Sequence, residues 1–193
     1  MIESIFLILD DCLITVYNSK KNLYPCGIWD YKFVWPLWNI LKNYSWNYRK
    51  LQEKDKNLPN LKITVISNND CVKKGITKDV SFWTKIFFIS RCLEDYLSLP
   101  SYGVDYEYSM EANWKDRLNE KLIGINSVVK GKSLFIGVNE DDYNHSKALG
   151  IDKYITSNDL INLSENERDK LFLQGGSPSF QKGGEEERRN NSN

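Results

Sequence analysis

The apolar run Ile5–Leu9 near the start of the chain is followed at once by Asp10 and Asp11. Because no polar residue alternates with the apolar ones, the run predicts a strand buried on both faces, as strands of parallel sheets are. Parallel strands need crossover connections, which are usually helices. The run therefore favours an α/β fold, with two carboxylates at the carboxyl end of a strand, where such sheets bind ligands.

The rest of the chain alternates between strand-like and helix-like segments. The predicted strands cover residues 61–70, 104–109, 132–139 and 153–156, and the predicted helices cover residues 33–44, 80–97, 113–124 and 140–150. Residues 17–32 read as a loop. This alternation predicts a three-layer α/β/α sandwich with a mainly parallel, Rossmann-like sheet, in one domain spanning residues 1–165. Residues 174–193, rich in Gly, Ser and charges, predict a disordered polar tail.

Composition narrows the class of protein. The 26 basic and 26 acidic residues cancel, so net charge does not support nucleic-acid binding and leaves only a local basic patch as a route to it. The four cysteines occur singly and His145 is the one histidine, which argues against zinc and for reduced thiols in an intracellular compartment. There is no signal-peptide pattern and no apolar window that could span a bilayer, so we expect a soluble protein. The Asn, Lys, Ile and Tyr bias hints at an AT-rich genome, which would allow cytoplasm, organelle or virion.

Three segments together resemble the motifs of a known superfamily. They are "LDDCLIT" after the first strand, "SNND" ending the second, and "FIGVNEDDYNHSKALGI". In order and spacing they are similar to the haloacid dehalogenase superfamily. The likeness is greatest to the 3′-phosphatase domain of polynucleotide kinase-phosphatase, whose "TNQ-x-G-I-x-x-G" and "YRKP" segments resemble "ISNNDCVKKGI" and "YSMEANWKDRL". The resemblance covers about residues 4 to 160.

The resemblance implies a particular chemistry at these positions. A first Asp attacks phosphorus, and a second Asp two residues later protonates the leaving oxygen. A Ser or Thr of the second motif holds a phosphoryl oxygen, a Lys of the third offsets charge, and acids of the fourth bind Mg²⁺. The family residues thus predict a magnesium-dependent phosphatase site at the carboxyl edge of the sheet.

This chain departs from that pattern at most charged positions. Asp10 matches the second Asp, which places Ile8 where the nucleophile belongs; the register that makes Asp10 the nucleophile puts Cys12 on the acid-base position and fits worse. Met110 occupies the lysine position, with Lys115 one helical turn later, and Val138 replaces an acid of the fourth motif. Positions that keep their chemistry as relic or binding residues are Asp10, Ser67 and Asn68, and the weak metal candidates are Asp10, Asn139 and Asp141.

Each of these residues also has a plain structural interpretation. Asp10 and Asp11 would form a polar turn after a buried strand, and Ser67 could cap the next helix. Asp141 and Asp142 fall where a helix begins, where acids interact favourably with the helix dipole, and we favour this interpretation for them. His145 is expected to be an exposed helix residue rather than a ligand.

Aromatic residues are concentrated between residues 29 and 48. Packing in the core is the common use of such a segment, but an exposed part of it would suit a protein contact or the stacking of bases. We expect protein partners to bind this segment, around Trp29, Trp35, Trp38 and Trp46.

Three functions remain open from the sequence. The preferred one is a haloacid dehalogenase-like pseudoenzyme that serves as a structural or binding subunit and needs no cofactor. The second is a divergent, Mg²⁺-dependent phosphatase acting on polynucleotide 3′-phosphates or small phosphomonoesters. The third is a nucleic-acid-binding relic of such a phosphatase. We prefer the pseudoenzyme because Ile8 occupies the position of the nucleophile, and isoleucine cannot form an acyl-phosphate.

Overall fold

A computed structural model of the chain describes residues 1–16, 30–68, 72, 74–100, 103–109 and 128–174. The predicted helix at residues 113–124 and residues 175–193 of the predicted tail lie outside these residues, as do Trp29, Met110 and Lys115. The described strands are β1 (Ser4–Ile8), β2 (Ile14–Val16), β3 (Tyr31–Phe33), β4 (Lys62–Asn68), β5 (Val104–Ser109), β6 (Ser133–Gly137) and β7 (Lys153–Thr156). The described helices are α1 (Trp35–Lys54), α2 (Asp79–Leu97), α3 (Glu140–Ala148), α4 (Ser157–Asn162) and α5 (Glu165–Asp169), followed by a π-helical turn (Lys170–Gln174).

Five strands form one sheet in the order β5-β4-β1-β6-β7, and every neighbouring pair is parallel. The central strand β1 is buried at every residue, and so is β6. Because successive side chains point to opposite faces of a strand, this burial means that both faces of the sheet are covered. The predicted α/β fold with a parallel, Rossmann-like sheet is confirmed.

The order of the strands creates a switch point beside β1. The chain moves from β1 to β4 and β5 in one direction, and then returns across β1 to β6 and β7. Right-handed crossovers therefore place α1 and α2, which pack on each other, on one face and α3 on the other. Connections leave β1 and β6 toward opposite faces, and the gap between them is the place where such sheets bind ligands.

A second, two-stranded antiparallel sheet was not predicted from the sequence. β2 begins directly after the turn that follows β1, and it pairs with β3, which leads into α1. In this ribbon Thr15 lies opposite Lys32 and Val16 lies opposite Tyr31. The last two residues of the segment expected to be a loop, residues 17–32, therefore belong to a strand. The ribbon connects the carboxyl end of β1 to the start of α1.

The packed domain extends past residue 165. Leu171 and Phe172 are buried, and the ring of Phe172 stacks on Tyr44 of α1 with centroids 4.4 Å apart. The N–H of Ile2 donates to the carbonyl oxygen of Phe172 at 2.8 Å. The C-terminal segment therefore joins the same core as the first residues of the chain.

Two predictions about single residues were wrong. His145 is 3 % exposed, because α3 packs its inner side against β6, where the His145 ring lies 5.7 Å from that of Phe135. Trp38, which was expected to help form a partner surface, is 1 % exposed and belongs to the core of α1. Trp35 and Trp46 on the same helix are exposed.

None of the helices in the described part of the chain combines the length and apolar character that crossing a bilayer requires. Cys12 and Cys92 are free thiols.

Candidate functional site

A tight turn follows the central strand and positions Asp10. The carbonyl oxygen of Leu9 accepts from the N–H groups of Leu13 at 3.0 Å and Ile14 at 3.1 Å. Asp11 adopts the left-handed conformation with φ 58°, which aspartate tolerates better than most residues. The turn is thereby closed within a few residues, and the side chain of Asp10 lies beside the end of β4.

Asp10 and Ser67 form a direct hydrogen bond. Ser67 lies near the end of β4, is 2 % exposed, and donates its hydroxyl to Asp10 Oδ2 at 2.9 Å. The contact follows from the register, in which Ile8 of β1 lies opposite Ile66 of β4. The other carboxylate oxygen, Oδ1, is buried and accepts no hydrogen bond from the residues that the structure describes. The two residues that the resemblance implies as relic positions of one site are thus in contact.

A buried lysine completes this cluster and was missed by the sequence analysis. Lys85 of α2 is 1 % exposed, and its Nζ lies 5.1 Å from the centroid of the Phe82 ring. Its charge interacts with the carboxylates of Asp10 and Asp30. The signal was its position: Lys85 lies three residues after Phe82 and four before Ile89 on the buried face of the helix. A lysine on such a face is almost never fully buried unless it is paired.

The electrostatics of the cluster follow from its burial. Burial raises the pKa of the Asp10 carboxyl, while the Lys85 charge and the hydrogen bond from Ser67 act in the opposite direction. Burial likewise lowers the pKa of the Lys85 ammonium, and the charges of Asp10 and Asp30 oppose that shift. Each charged form is therefore disfavoured by burial and favoured by its partner.

The end of β6 contributes polar groups that are engaged in a helix cap. Asn139 is the N-cap of α3, and its Oδ1 accepts from the N–H of Asp142 at 3.1 Å. Asp142 Oδ2 in turn accepts from the N–H of Val138 at 2.8 Å. Asp141, the neighbouring metal candidate, is exposed in the first turn. These residues stabilise the start of the helix, in line with the structural interpretation of Asp141 and Asp142.

The turn after β1 is also attached to β6. The thiol of Cys12 is buried and donates to the carbonyl oxygen of Ile136 at 3.7 Å. Burial raises the pKa of Cys12, and the charge of Asp142 adds to the shift. The turn that carries Asp10 is therefore held on one side by Ser67 of β4 and on the other side by the end of β6.

The two apolar residues that stand where the resemblance expects acids lie at the carboxyl ends of β1 and β6. Ile8 is 8 % exposed and part of the core, and Val138 is half-buried and packs against that core. Asn68 is the last residue of β4 in register with β5, where it lies opposite Ser109. Asp10 and Ser67 are therefore together, whereas Asn139 and Asp141 belong to the cap of α3.

The side chains that the structure describes at this end of the sheet do not form a donor set that fits Mg²⁺. Magnesium requires several oxygen ligands in near-octahedral geometry, and neither Ile8 nor Val138 can supply one. The oxygen that Asp10 leaves without a hydrogen bond lies in a cluster that already holds the Lys85 ammonium. Within the described ranges, no group of three His, Cys, Asp or Glu side chains is placed to hold a metal ion.

Exposed aromatic residues form two surfaces on α1 and α2. Trp35 is 50 % exposed and its ring lies 5.7 Å from that of Tyr96, while Trp46 is 55 % exposed. On α2, Val80, Trp83 and Phe87 are exposed at i, i+3 and i+7, to one side of the buried face. The sequence analysis missed this second surface, although its spacing was visible in a helix that is apolar on more than one side.

Comparison of the chain with protein-family models and with curated proteins gave no match.

Proposed function

We propose that the chain is a haloacid dehalogenase-like domain without phosphatase chemistry, which serves as a structural or binding subunit of a larger assembly. The observation that carries the proposal is Ile8. This side chain ends β1 beside Asp10 and is 8 % exposed in the apolar core. Isoleucine has no nucleophilic atom, so the covalent step implied by the resemblance has no residue to perform it.

The engagement of the neighbouring polar groups supports the same proposal. Asp10 is bound by Ser67 and faces the Lys85 charge, and the carboxylate of Asp142 is used in the cap of α3. A phosphatase would need such groups to face its substrate and its metal ion. The exposed aromatic surfaces of α1 and α2 support the binding part of the proposal, because exposed aromatic residues are enriched at protein interfaces.

A divergent phosphatase is the alternative, and one observation favours it. Asp10 and Ser67, the acid-base and phosphate-holding positions of the resemblance, are 2.9 Å apart between Ser67 Oγ and Asp10 Oδ2. An Asp with a raised pKa is also suited to donate a proton. The alternative needs a nucleophile other than residue 8, such as a water molecule or a side chain outside the described residues.

Phosphate release decides between the two. The purified protein is incubated with a phosphomonoester and with a 3′-phosphorylated oligonucleotide, in the presence of MgCl₂ or of EDTA. We expect no release above a heat-inactivated control. Mg²⁺-dependent release that disappears in Asp10→Asn would overturn the proposal in favour of the phosphatase.

A restored site provides the matched control. The double variant Ile8→Asp, Val138→Asp returns carboxylates to the positions where the resemblance expects a nucleophile and a metal ligand. If the alignment is correct, MgCl₂ raises the melting temperature of this variant and leaves that of the natural protein unchanged. An unchanged melting temperature in the variant would contradict the alignment on which the proposal depends. Salt-dependent binding of single-stranded DNA without turnover would instead indicate the nucleic-acid-binding relic.

A further inference from the structure

The outer side of α2 carries a stripe of apolar side chains. Val80, Trp83 and Phe87 are 73 %, 43 % and 38 % exposed, and Phe88 beside them is 40 % exposed. The rings of Trp83 and Phe87 are stacked, with centroids 5.2 Å apart and an interplanar angle of 8°. These four residues, called the α2 stripe below, therefore present a flat and largely aromatic surface to the outside of the described domain.

Charged residues are missing from the α2 stripe. From Val80 to Ser90 the sequence contains one charged residue, Lys85, and that side chain is 1 % exposed. A helix that buries one face in a core normally carries charged and polar residues on the side that faces water. An exposed apolar patch of this kind marks a surface that another molecule covers.

The two ends of the α2 stripe differ in charge. Among the described residues of this helix and of the turn before it, the flanking charges are Lys74, Lys78 and Asp79 before the stripe and Arg91, Glu94 and Asp95 after it. The first end has two bases and one acid and is net positive, whereas the second has one base and two acids and is net negative. Two such helices packed antiparallel bring each positive end against a negative end. Packed parallel, they bring like ends together, which is unfavourable.

We propose that two copies of this chain associate through the α2 stripe, with their α2 helices antiparallel about a two-fold axis at the level of residue 85. Residue 85 is midway between Asp79 and Arg91, the charged residues nearest to the stripe on either side. In a two-fold interface, if residue i of one copy faces residue j of the other, then j also faces i. The axis therefore makes Trp83 of each copy face Phe87 of the other, and it brings Asp79 of each copy toward Arg91 of the other.

The area of the α2 stripe is sufficient for a weak dimer. A large aromatic side chain buries about 150–250 Å² when it is fully covered, so the three exposed rings offer on the order of 80 Å² each. With Val80 and the nearby Ile76, which is 62 % exposed, the pair of copies would bury on the order of 900 Å². This area lies below that of tight complexes, and we expect a dissociation constant in the micromolar range.

The test uses two variants that each break the interface and together restore it. Trp83→Lys and Phe87→Glu each place a charge in the α2 stripe. In a dimer of either variant with itself, each introduced charge faces an aromatic ring of the other copy. In a mixed dimer of the two variants, the introduced lysine faces the introduced glutamate, and the remaining Phe87 faces the remaining Trp83. This pairing exists only in the antiparallel arrangement, so the mixture tests both the occupant and its orientation.

Sedimentation velocity of the full chain, over a dilution series that spans the micromolar range, measures the association. The mean mass of the natural protein should rise from that of one chain toward that of two. Each variant alone should weaken the dimer at least about tenfold, and the equimolar mixture should return to within about threefold of the natural protein. Trp46→Lys is the matched control, because Trp46 is an exposed tryptophan on α1 and lies outside the stripe. It should leave the dissociation constant unchanged.

Three outcomes would overturn the inference. They are a natural protein that keeps the mass of one chain throughout the series, variants that associate as well as the natural protein, and a mixture that associates no better than its components. If circular dichroism shows that either variant is unfolded, Val80→Glu decides, because Val80 is 73 % exposed. A dimer weakened at least about tenfold by Val80→Glu supports the inference, and an unchanged dimer overturns it.

Self-association is independent of the proposed lack of phosphatase chemistry. A phosphatase could dimerise through the same helix face, because the α2 stripe does not include Asp10 or Ser67. Phosphate release would therefore overturn the proposed function and leave the dimer, whereas a natural protein that stays a single chain would overturn the dimer and leave the proposed function.

Discussion

Replacing Trp38 with phenylalanine tests whether this tryptophan anchors the turn that carries Asp10. Trp38 is 1 % exposed, and its Nε1–H donates to the carbonyl oxygen of Leu13 at 3.0 Å. Leu13 belongs to the turn after β1, so the bond fastens α1 to that turn. The ring of Trp38 also packs against Phe33 of β3, with centroids 4.5 Å apart.

The expected loss of stability has two parts. The hydrogen bond contributes about 1 kcal/mol, and its loss does not orphan the acceptor, because the Leu13 carbonyl also accepts from the N–H of Val34 at 3.0 Å. The smaller ring leaves a cavity that costs about 1 kcal/mol more. Trp38→Phe should therefore lower the free energy of unfolding by about 2 kcal/mol, which for a domain of this size lowers the melting temperature by about 4–8 °C.

Urea unfolding followed by far-ultraviolet circular dichroism measures the change without relying on tryptophan fluorescence. Trp46→Phe is the control, because Trp46 lies on the same helix and is 55 % exposed. The control should change the free energy of unfolding by no more than about 0.5 kcal/mol. The reasoning is refuted if Trp46→Phe destabilises as much as Trp38→Phe, or if Trp38→Phe leaves stability unchanged.

Three further predictions concern the strand ends. A Cβ at Gly137 would lie 2.6 Å from another side-chain carbon, so Gly137→Ala should destabilise by about 1–3 kcal/mol in urea unfolding. Ser67→Ala removes a hydrogen bond that lowers the pKa of Asp10, so that pKa should rise further above its ordinary value in a carboxyl-carbon NMR titration. A folded-state pKa above the unfolded one means that stability is lost as pH rises through it, so Ser67→Ala should be more destabilising at neutral pH than at acid pH, where Asp10 is protonated in both states. Cys12, which is fully buried, should react with iodoacetamide more slowly than the half-buried Cys92 when the modified peptides are mapped by mass.

The sequence predicted strands and helices correctly where the pattern of apolar residues is strong. The apolar run Ile5–Leu9 predicted β1, and the helix-like segment at residues 80–97 predicted α2. The strands β2 and β3 were missed, because three residues are too few to show an alternation and their pairing is decided by the turn after β1.

The candidate site was predicted only in part. Asp10 and Ser67 were paired through a resemblance, and their contact depends on the register of two parallel strands that sequence patterns do not show. Lys85 was missed because Asp10 and Asp30 are remote from it in the chain. A single charged residue on an apolar helix face also does not change the periodic pattern from which a buried face is predicted. His145 was placed on the surface because it is polar, whereas α3 has to cover β6 and buries it.

Buried carboxylates on the two sides of the switch point, beside β4 and beside β6, have different kinds of partner. Parallel strands bring polar groups together at their carboxyl ends, and buried polar groups need partners. Beside β4 the partner is the hydroxyl of Ser67 with the ammonium of Lys85, and beside β6 it is the backbone of the α3 cap. Each solution uses the carboxylate that a ligand or metal ion would otherwise bind. Under the proposed function, recognition therefore shifts from this end of the sheet to the outer faces of α1 and α2, where Trp35, Trp46 and Trp83 are exposed.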